Sequence, residues 1–129
     1  MKQTLLKQVA GIDLAQKELV VSLGKMDQGA STHIYAYKTF VNNEKSFTAM
    51  ILRVKKQTDA NSPLRSVMEA TGVYHEAVAY FLSDKAYPVS IVMLNKISNF
   101  FRTLETKTVT DKSMSEAIAL FGLEKKVEN

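Results

Sequence analysis

Three acidic residues occupy positions in this sequence where carboxylates could do chemistry together. Asp13 interrupts the apolar, β-branched segment at residues 7–14, where an unpaired charge is costly to bury. Glu69 ends another strand-like segment, and Asp111 directly precedes a helical pattern. Converging carboxylates repel one another unless a cation neutralises them, and a hard divalent ion with oxygen ligands is the usual solution. Two such ions can activate a water and stabilise the leaving oxygen in phosphodiester cleavage.

Each acid also has an ordinary structural interpretation. A glutamate at a strand end is commonly solvated or salt-bridged, as Glu69 could be, and Asp111 could be an N-cap or a partner of the helix dipole. Asp13 is the hardest to explain in this way, because it lies inside an apolar strand. The pattern alone therefore leaves a shared acidic site and three separate structural roles as open alternatives.

The composition favours carboxylate chemistry over the other common kinds. The 129 residues include no cysteine and two histidines, which excludes thiol nucleophiles and disfavours a histidine-rich metal site. Lys+Arg exceed Asp+Glu by 17 to 13, a net charge of +4 that permits a polyanionic partner without requiring one. The sequence has no signal-peptide pattern and no apolar run approaching about 18 residues. We therefore expect a cytoplasmic protein that does not contact a membrane.

The order of predicted elements is βββαβαβα with a further helix. Predicted strands cover residues 7–14, 18–26, 33–41, 64–69 and 87–94. Predicted helices cover residues 44–57 and 72–85, a segment from residue 95, and a last segment from residue 111. Three antiparallel strands followed by alternating helices and strands are typical of an α/β, RNase H-like fold, a mixed five-stranded sheet with helices on both faces. In that fold Asp13 and Glu69 would meet where the central parallel strands end, the edge at which such sheets bind ligands.

Helical spacing of apolar residues predicts the buried faces. The first helix, with Asn43 as its N-cap, is predicted to bury Phe47, Met50, Ile51 and Val54. The second is predicted to bury Val73, Ala77, Tyr80 and Phe81. The last is predicted to bury Met114, Ala117, Ile118 and Phe121.

Four blocks of sequence carry a family resemblance. They are GIDLAQK at 11–17, EATGVYH at 69–75, LN at 94–95 with FR at 101–102, and TDK at 110–112 with AIA at 117–119. In this order they resemble the N-terminal domain of the transposases of the insertion-sequence 110 family. The resemblance spans almost the whole chain, and the second and fourth blocks are its most specific parts.

The resemblance implies a RuvC-like, RNase H-type domain with an Asp-Glu-Asp-Asp site that binds Mg²⁺ or Mn²⁺. The first three acids of that site correspond to Asp13, Glu69 and Asp111. The family's Asp-Lys-x-Asp pattern places the fourth acid where this chain has Met114. Ser115, one helical turn after Asp111, shares its face. We therefore predict a three-acid site, with Ser115 or water in the fourth position.

The resemblance also implies a function in transposition. Members of the family excise and insert a mobile element, and some are guided by a structured RNA. The chain is accordingly expected to be one domain, residues 1–129, that serves metal-dependent DNA strand cleavage and exchange. The family's C-terminal domain, with its serine nucleophile, is expected to lie beyond Asn129. The expected partners are DNA, a guide RNA in some members, and further copies of the full-length enzyme.

Five residues are predicted to contact nucleic acid: Tyr74, His75, Arg102, Lys107 and Lys112. Packing at a helix start is the competing interpretation for the two ring residues, and a solvated surface is the competing interpretation for the basic ones. Lys112 is the strongest candidate because it adjoins Asp111. Phosphate contacts of this kind would make binding weaken with salt.

Two other function classes are compatible with such a fold. Actin-like ATPases and sugar kinases hold phosphates with glycine and hydroxyl residues after the first aspartate, and LAQK at 14–17 contains neither, which disfavours them. The second class is a non-catalytic DNA- or RNA-binding and assembly module with a degenerate acidic site. Its nucleic-acid binding would be unaffected by Asp13→Asn or by EDTA, and an isolated domain without activity of its own is the simplest alternative.

Overall fold

The structure is a computed structural model that describes residues 5–59, 62–70, 73–101 and 111–125. Five strands and four helices occur in these residues. In chain order they are β1 (Leu5–Leu14), β2 (Glu18–Asp27), β3 (Thr32–Val41), α1 (Glu44–Gln57), β4 (Leu64–Glu69), α2 (Glu76–Asp84), β5 (Val89–Val92), α3 (Leu94–Phe101) and α4 (Asp111–Glu124). None of the described helices is long and apolar enough to cross a bilayer.

The strands form one mixed sheet in the order β3-β2-β1-β4-β5. β1 pairs with β2 in antiparallel fashion and with β4 in parallel, and β4 continues in parallel to β5. β3 pairs with β2 in antiparallel fashion, so β3 and β1 run in the same direction. This arrangement confirms the predicted mixed five-stranded sheet and puts β1 and β4 side by side at its centre.

Successive residues of a strand point to opposite faces, and each face of the sheet has its own apolar core. On one side Ala10 and Ile12 pack with residues of α1 and α2, such as Phe47. On the other side Val9 packs with residues of α3 and α4, such as Ile118. We call these sides the α1 face and the α4 face.

The first helix follows its sequence prediction. The side-chain oxygen of Asn43 accepts a 2.9 Å hydrogen bond from the Ser46 amide and satisfies a backbone donor that the helix leaves open. Phe47 and Met50 are buried, and Ile51 and Val54 pack against the same core.

Two elements differ from their predictions. β5 ends at Val92 and begins at Val89, inside the predicted span of 87–94. The predicted start of α2, Gly72, lies outside the described residues, and residues 73–75 form a turn before the helix begins at Glu76. The residues that α2 buries are Val78, Ala79 and Leu82. Of the predicted face, Phe81 is half-buried and packs against the α1-face core, whereas Val73, Ala77 and Tyr80 are exposed. The helix is apolar on more than one side, so its spacing alone did not identify the face that meets the sheet.

Candidate active site

Asp13 and Glu69 are neighbours on the two central parallel strands. The paired register of β1 and β4 ends with Ile12 and Met68, and Asp13 and Glu69 are the next residues of the two strands. Neighbouring strands are about 4.8 Å apart. Ile12 and Met68 belong to the core on the α1 face. Because side chains alternate along a strand, both acids lie on the α4 face, at the carboxyl ends of their strands.

The two carboxylates differ in their burial. Asp13 is half-buried, and Glu69 is 7% exposed. Burial raises the pKa of the Glu69 carboxyl above its usual value, because the charged form loses hydration. A cation bound between the two acids would offset this cost.

Helix α4 touches the sheet backbone to backbone at Gly11. A Cβ atom on Gly11 would lie 2.5 Å from the carbonyl oxygen of Ser115 and closer still to the amide nitrogen of Ala119. Farther along the helix, a Cβ on Gly122 would lie 3.0 Å from a methyl group of Val9. These contacts show that α4 runs antiparallel to β1.

This direction brings the start of α4 to the edge of the sheet that holds the acids. Asp111 is the first residue of α4 and precedes Ser115 by one turn on the same helical face. The backbone therefore places Asp111 beyond Gly11, on the side towards Asp13. The side chain of Asp111 is outside the described part of the structure.

A buried hydrogen bond joins α4 to the sheet beside this contact. The hydroxyl groups of Ser22 and Ser115 are 2.6 Å apart, and both residues are 0% exposed. The Ser115 hydroxyl also donates to the Lys112 carbonyl oxygen at 2.8 Å. The structure thus uses Ser115 to dock the helix on β2, while its predicted role at the fourth site position stays a prediction. Ser22 and Gly11 were missed in the sequence, although a serine inside the apolar run of β2 was a signal.

The two serines are expected to be strongly coupled in stability. Ser22→Ala or Ser115→Ala alone should lower the free energy of unfolding by about 1–3 kcal/mol, because the remaining hydroxyl stays buried without this partner. The double variant should lose clearly less than the sum of the two single losses. Urea denaturation of the four proteins measures the coupling, and strictly additive losses would contradict it.

Lys112 and Met114 lie on opposite flanks of the first turn of α4. The Lys112 ammonium is 4.6 Å from the centre of the Tyr37 ring, on the β3 side. Met114 is two residues further, about 200° around the helix, and packs against the apolar cluster that includes Val67 of β4. Position 114 therefore lies on the flank of the helix that faces the strand of Glu69.

A transposase family model, of the DEDD type of insertion sequence 110, matches residues 10–128. The chain belongs to this family. Curated relatives of this DEDD transposase chain include the pilin gene-inverting proteins of Moraxella lacunata and Moraxella bovis, each 32% identical over 84 residues. The aligned part is 65% of this chain and 26% of each relative, so the chain spans about a quarter of their length.

Solved structures show the same fold. RuvC of Thermus thermophilus matches with a TM-score of 0.65 at 13% identity, over 94% of this chain and 98% of RuvC. The same protein in complex with a Holliday junction substrate gives 0.62 at 12% identity, over 95% and 98%. The Holliday junction resolvase of fowlpox virus gives 0.61 at 11% identity, over 91% and 97%. The RNase H-like fold expected from the order of elements is therefore confirmed for this DEDD transposase chain.

The other residues predicted to contact nucleic acid are only partly within the described structure. Tyr74 lies in the exposed turn before α2, and its carbonyl oxygen accepts from the Asn42 side chain at 3.3 Å. Asn42 also donates to Ala15 at 2.8 Å and thereby ties two loops together at the edge of the sheet. His75 is half-buried directly before α2. Arg102 and Lys107 lie outside the described residues.

The donor set fits the divalent metal that DEDD transposases and the RuvC-like fold imply. Asp13 and Glu69 offer carboxylate oxygens on one face, and Asp111 begins the helix that approaches them. Oxygen donors of this kind suit Mg²⁺ and Mn²⁺. Among the side chains that the structure describes, which exclude that of Asp111, no cluster of three potential ligands forms. The two strand acids are therefore the part of the site that the structure itself brings together.

Proposed function

We propose that the chain is the metal-dependent domain of a DNA transposase, in which Asp13, Glu69 and Asp111 hold Mg²⁺ or Mn²⁺ at a DNA phosphodiester. The observation that carries the proposal is the adjacency of Asp13 and Glu69 on the α4 face, at the carboxyl ends of parallel strands. The reaction is strand cleavage and exchange during transposition of an insertion sequence. Family membership and the gene inversion named in the relatives' descriptions support this reaction class.

The residues of the chain would contribute binding and position. A divalent ion, when bound, would supply a Lewis acid that activates the attacking oxygen and stabilises the leaving oxygen. A bound cation would neutralise the Glu69 carboxylate, whose pKa is raised by burial, and would so allow it to serve as a ligand. The backbone contact between Gly11 and α4 fixes the distance from the strand acids to the start of the helix. Such rigid support is what metal sites require of their surroundings.

The wider assignments belong to the same proposal. DNA is the proposed substrate, acted on in the cytoplasm, and a guide RNA and a homo-oligomer stay predictions from the family resemblance. The division into a domain of residues 1–129 and a serine-bearing C-terminal domain is proposed on the same ground.

Calorimetric titration with Mn²⁺ and Mg²⁺ tests the metal site. Asp13→Asn should weaken binding about tenfold, because it removes one anionic ligand from a shared site. Asp84→Asn is the matched control: this residue ends α2 and is exposed, so it should bind metal as the parent does. Equal affinities of the parent and Asp13→Asn would refute the site.

A non-catalytic assembly module is the second candidate, and one observation favours it. Position 114 carries a half-buried methionine where the family pattern has its fourth acid. Under this alternative, DNA binding and assembly would proceed unchanged in EDTA and in Asp13→Asn. A labelled DNA cleavage assay with added Mn²⁺ separates the two, since only the nuclease produces Asp13-dependent nicks.

A further inference from the structure

An uncovered strip of β3 lies beside the acidic site. Gly11 pairs with Ser22 and Ser22 pairs with Tyr37, so Tyr37 is on the α4 face. Two residues further along β1 and β3, Asp13 and Thr39 both pair with Val20 of β2, one from each side. Thr39 is thus two strand spacings, roughly 10 Å, from Asp13.

The strip is accessible, although it is on the side of the sheet that α4 covers elsewhere. Tyr37 is 51% exposed and Thr39 is exposed, whereas the central residue Val20 between Thr39 and Asp13 is 5% exposed. A ligand lying on β3 would therefore reach the level of Asp13 without crossing any of the four described helices.

Lys112 provides a positive charge over this strip. Its ammonium lies 4.6 Å from the centre of the Tyr37 ring, and its side chain is exposed. A ring under an ammonium limits where the charge can move without neutralising it. Lys112 is consequently held on the β3 side of the first turn of α4.

The four other lysine–aromatic contacts among the described residues lie elsewhere. Those of Lys55 with Tyr87 and of Lys85 with Phe81 involve rings that pack on the α1 face. The ammonium of Lys25, on β2, lies 5.2 Å from the centre of the Tyr35 ring on β3. Lys25 follows Gly24 of the α4 face and so belongs to the opposite face. Lys125 lies 6.0 Å from the Phe100 ring, beyond the far end of α4. Of these five contacts, the one between Lys112 and Tyr37 lies at the end of the sheet that carries the acids.

We infer that Tyr37, Thr39 and Lys112 form a binding strip for the sugar–phosphate backbone of a DNA strand that continues from the acidic site. The ammonium meets a phosphate, the Thr39 hydroxyl is a donor for a phosphate oxygen, and the Tyr37 ring orients the ammonium. The acids and Lys112 carry opposite charges and therefore bind different groups: the acids bind a metal ion, and the lysine binds a DNA phosphate. This inference rests on the proposed function and names where its substrate lies.

Fluorescence anisotropy with a labelled branched DNA in EDTA tests the strip separately from the metal site. Lys112→Gln should weaken binding about fivefold and lower the slope of log affinity against log salt by about one. Tyr37→Leu should weaken binding about two- to fivefold, and Tyr37→Phe, which keeps the ring, should bind like the parent.

Lys25→Gln is the matched control. It removes the lysine that contacts Tyr35, a tyrosine of the same strand as Tyr37 but on the opposite face of the sheet. Its DNA affinity should stay within about twofold of the parent, since it meets no phosphate. Equal losses in Lys25→Gln and Lys112→Gln, or no loss in either, would overturn the strip, as would a Lys112 effect confined to RNA of the same sequence. Mn²⁺ titration of Lys112→Gln distinguishes the strip from the metal site. The Mn²⁺ affinity of this variant should equal that of the parent even if its DNA affinity falls.

Discussion

Gly11→Ala is expected to destabilise the protein by about 3–5 kcal/mol, or to prevent folding altogether. The added methyl group would lie 2.5 Å from the Ser115 carbonyl oxygen and 2.8 Å from the Ala119 Cα atom. Both are backbone atoms of α4, so no rotation of a side chain can make room. Ordinary overpacking costs about 1–3 kcal/mol, and here the helix must also move away from its buried hydrogen bond with Ser22.

Gly24→Ala is the control, because it adds the same methyl group to the next strand of the sheet. There the new atom would lie 2.8 Å from Leu123 and 2.9 Å from Ile34, in each case from a terminal methyl group that can turn aside. We expect a loss of no more than about 1–2 kcal/mol. Urea denaturation measures both variants. A Gly11→Ala protein as stable as Gly24→Ala would show that α4 does not pack on the backbone of β1.

The sequence was sufficient to predict the order of the elements and the position of Asp13 and Glu69 at the ends of neighbouring strands. Strand and helix periods are local properties of the chain, and few sheet topologies accommodate three successive strands followed by alternating helices. The adjacency of Asp13 and Glu69 then follows, because each ends one of the two central parallel strands. The Asn43 cap was predictable for the same reason, since its hydrogen-bond partner is three residues away.

The contacts between distant segments were not predictable. Ser22 and Ser115 are separated by 93 residues, and no local pattern indicates that their hydroxyls share a bond. The role of Gly11 depends on which helix crosses it, and a GID block carries no information about that. For the buried face of α2, Phe81 was predicted correctly and Tyr80 wrongly, because apolar residues lie on more than one side of this helix. In each case the choice is made by packing of elements remote in the chain.

The methionine at position 114 raises the question of how complete the metal site is. It occupies the first turn of α4 on the flank that faces β4, and it packs half-buried against the α4-face core. Asp111 precedes it by three residues, so the two positions lie on neighbouring parts of the same turn. A carboxylate at 114 would therefore stand on the side of Glu69, where the family's fourth acid is expected to complete the site.

Met114→Asp is accordingly expected to raise Mn²⁺ affinity about tenfold to a hundredfold. The substitution should destabilise the protein in EDTA and stabilise it when Mn²⁺ is bound. In EDTA the new charge is partly desolvated near the Glu69 carboxylate, so the unfolding temperature should fall. With saturating Mn²⁺ each tenfold gain in affinity adds about 1.4 kcal/mol of stability. Calorimetry and thermal denaturation measure the two effects. Ser113→Asp is the control, because it puts the same charge in the same turn, about 100° away from Met114. It should leave Mn²⁺ affinity unchanged. An equal gain in Ser113→Asp, or no gain in Met114→Asp, would contradict the placement of position 114 beside the acids.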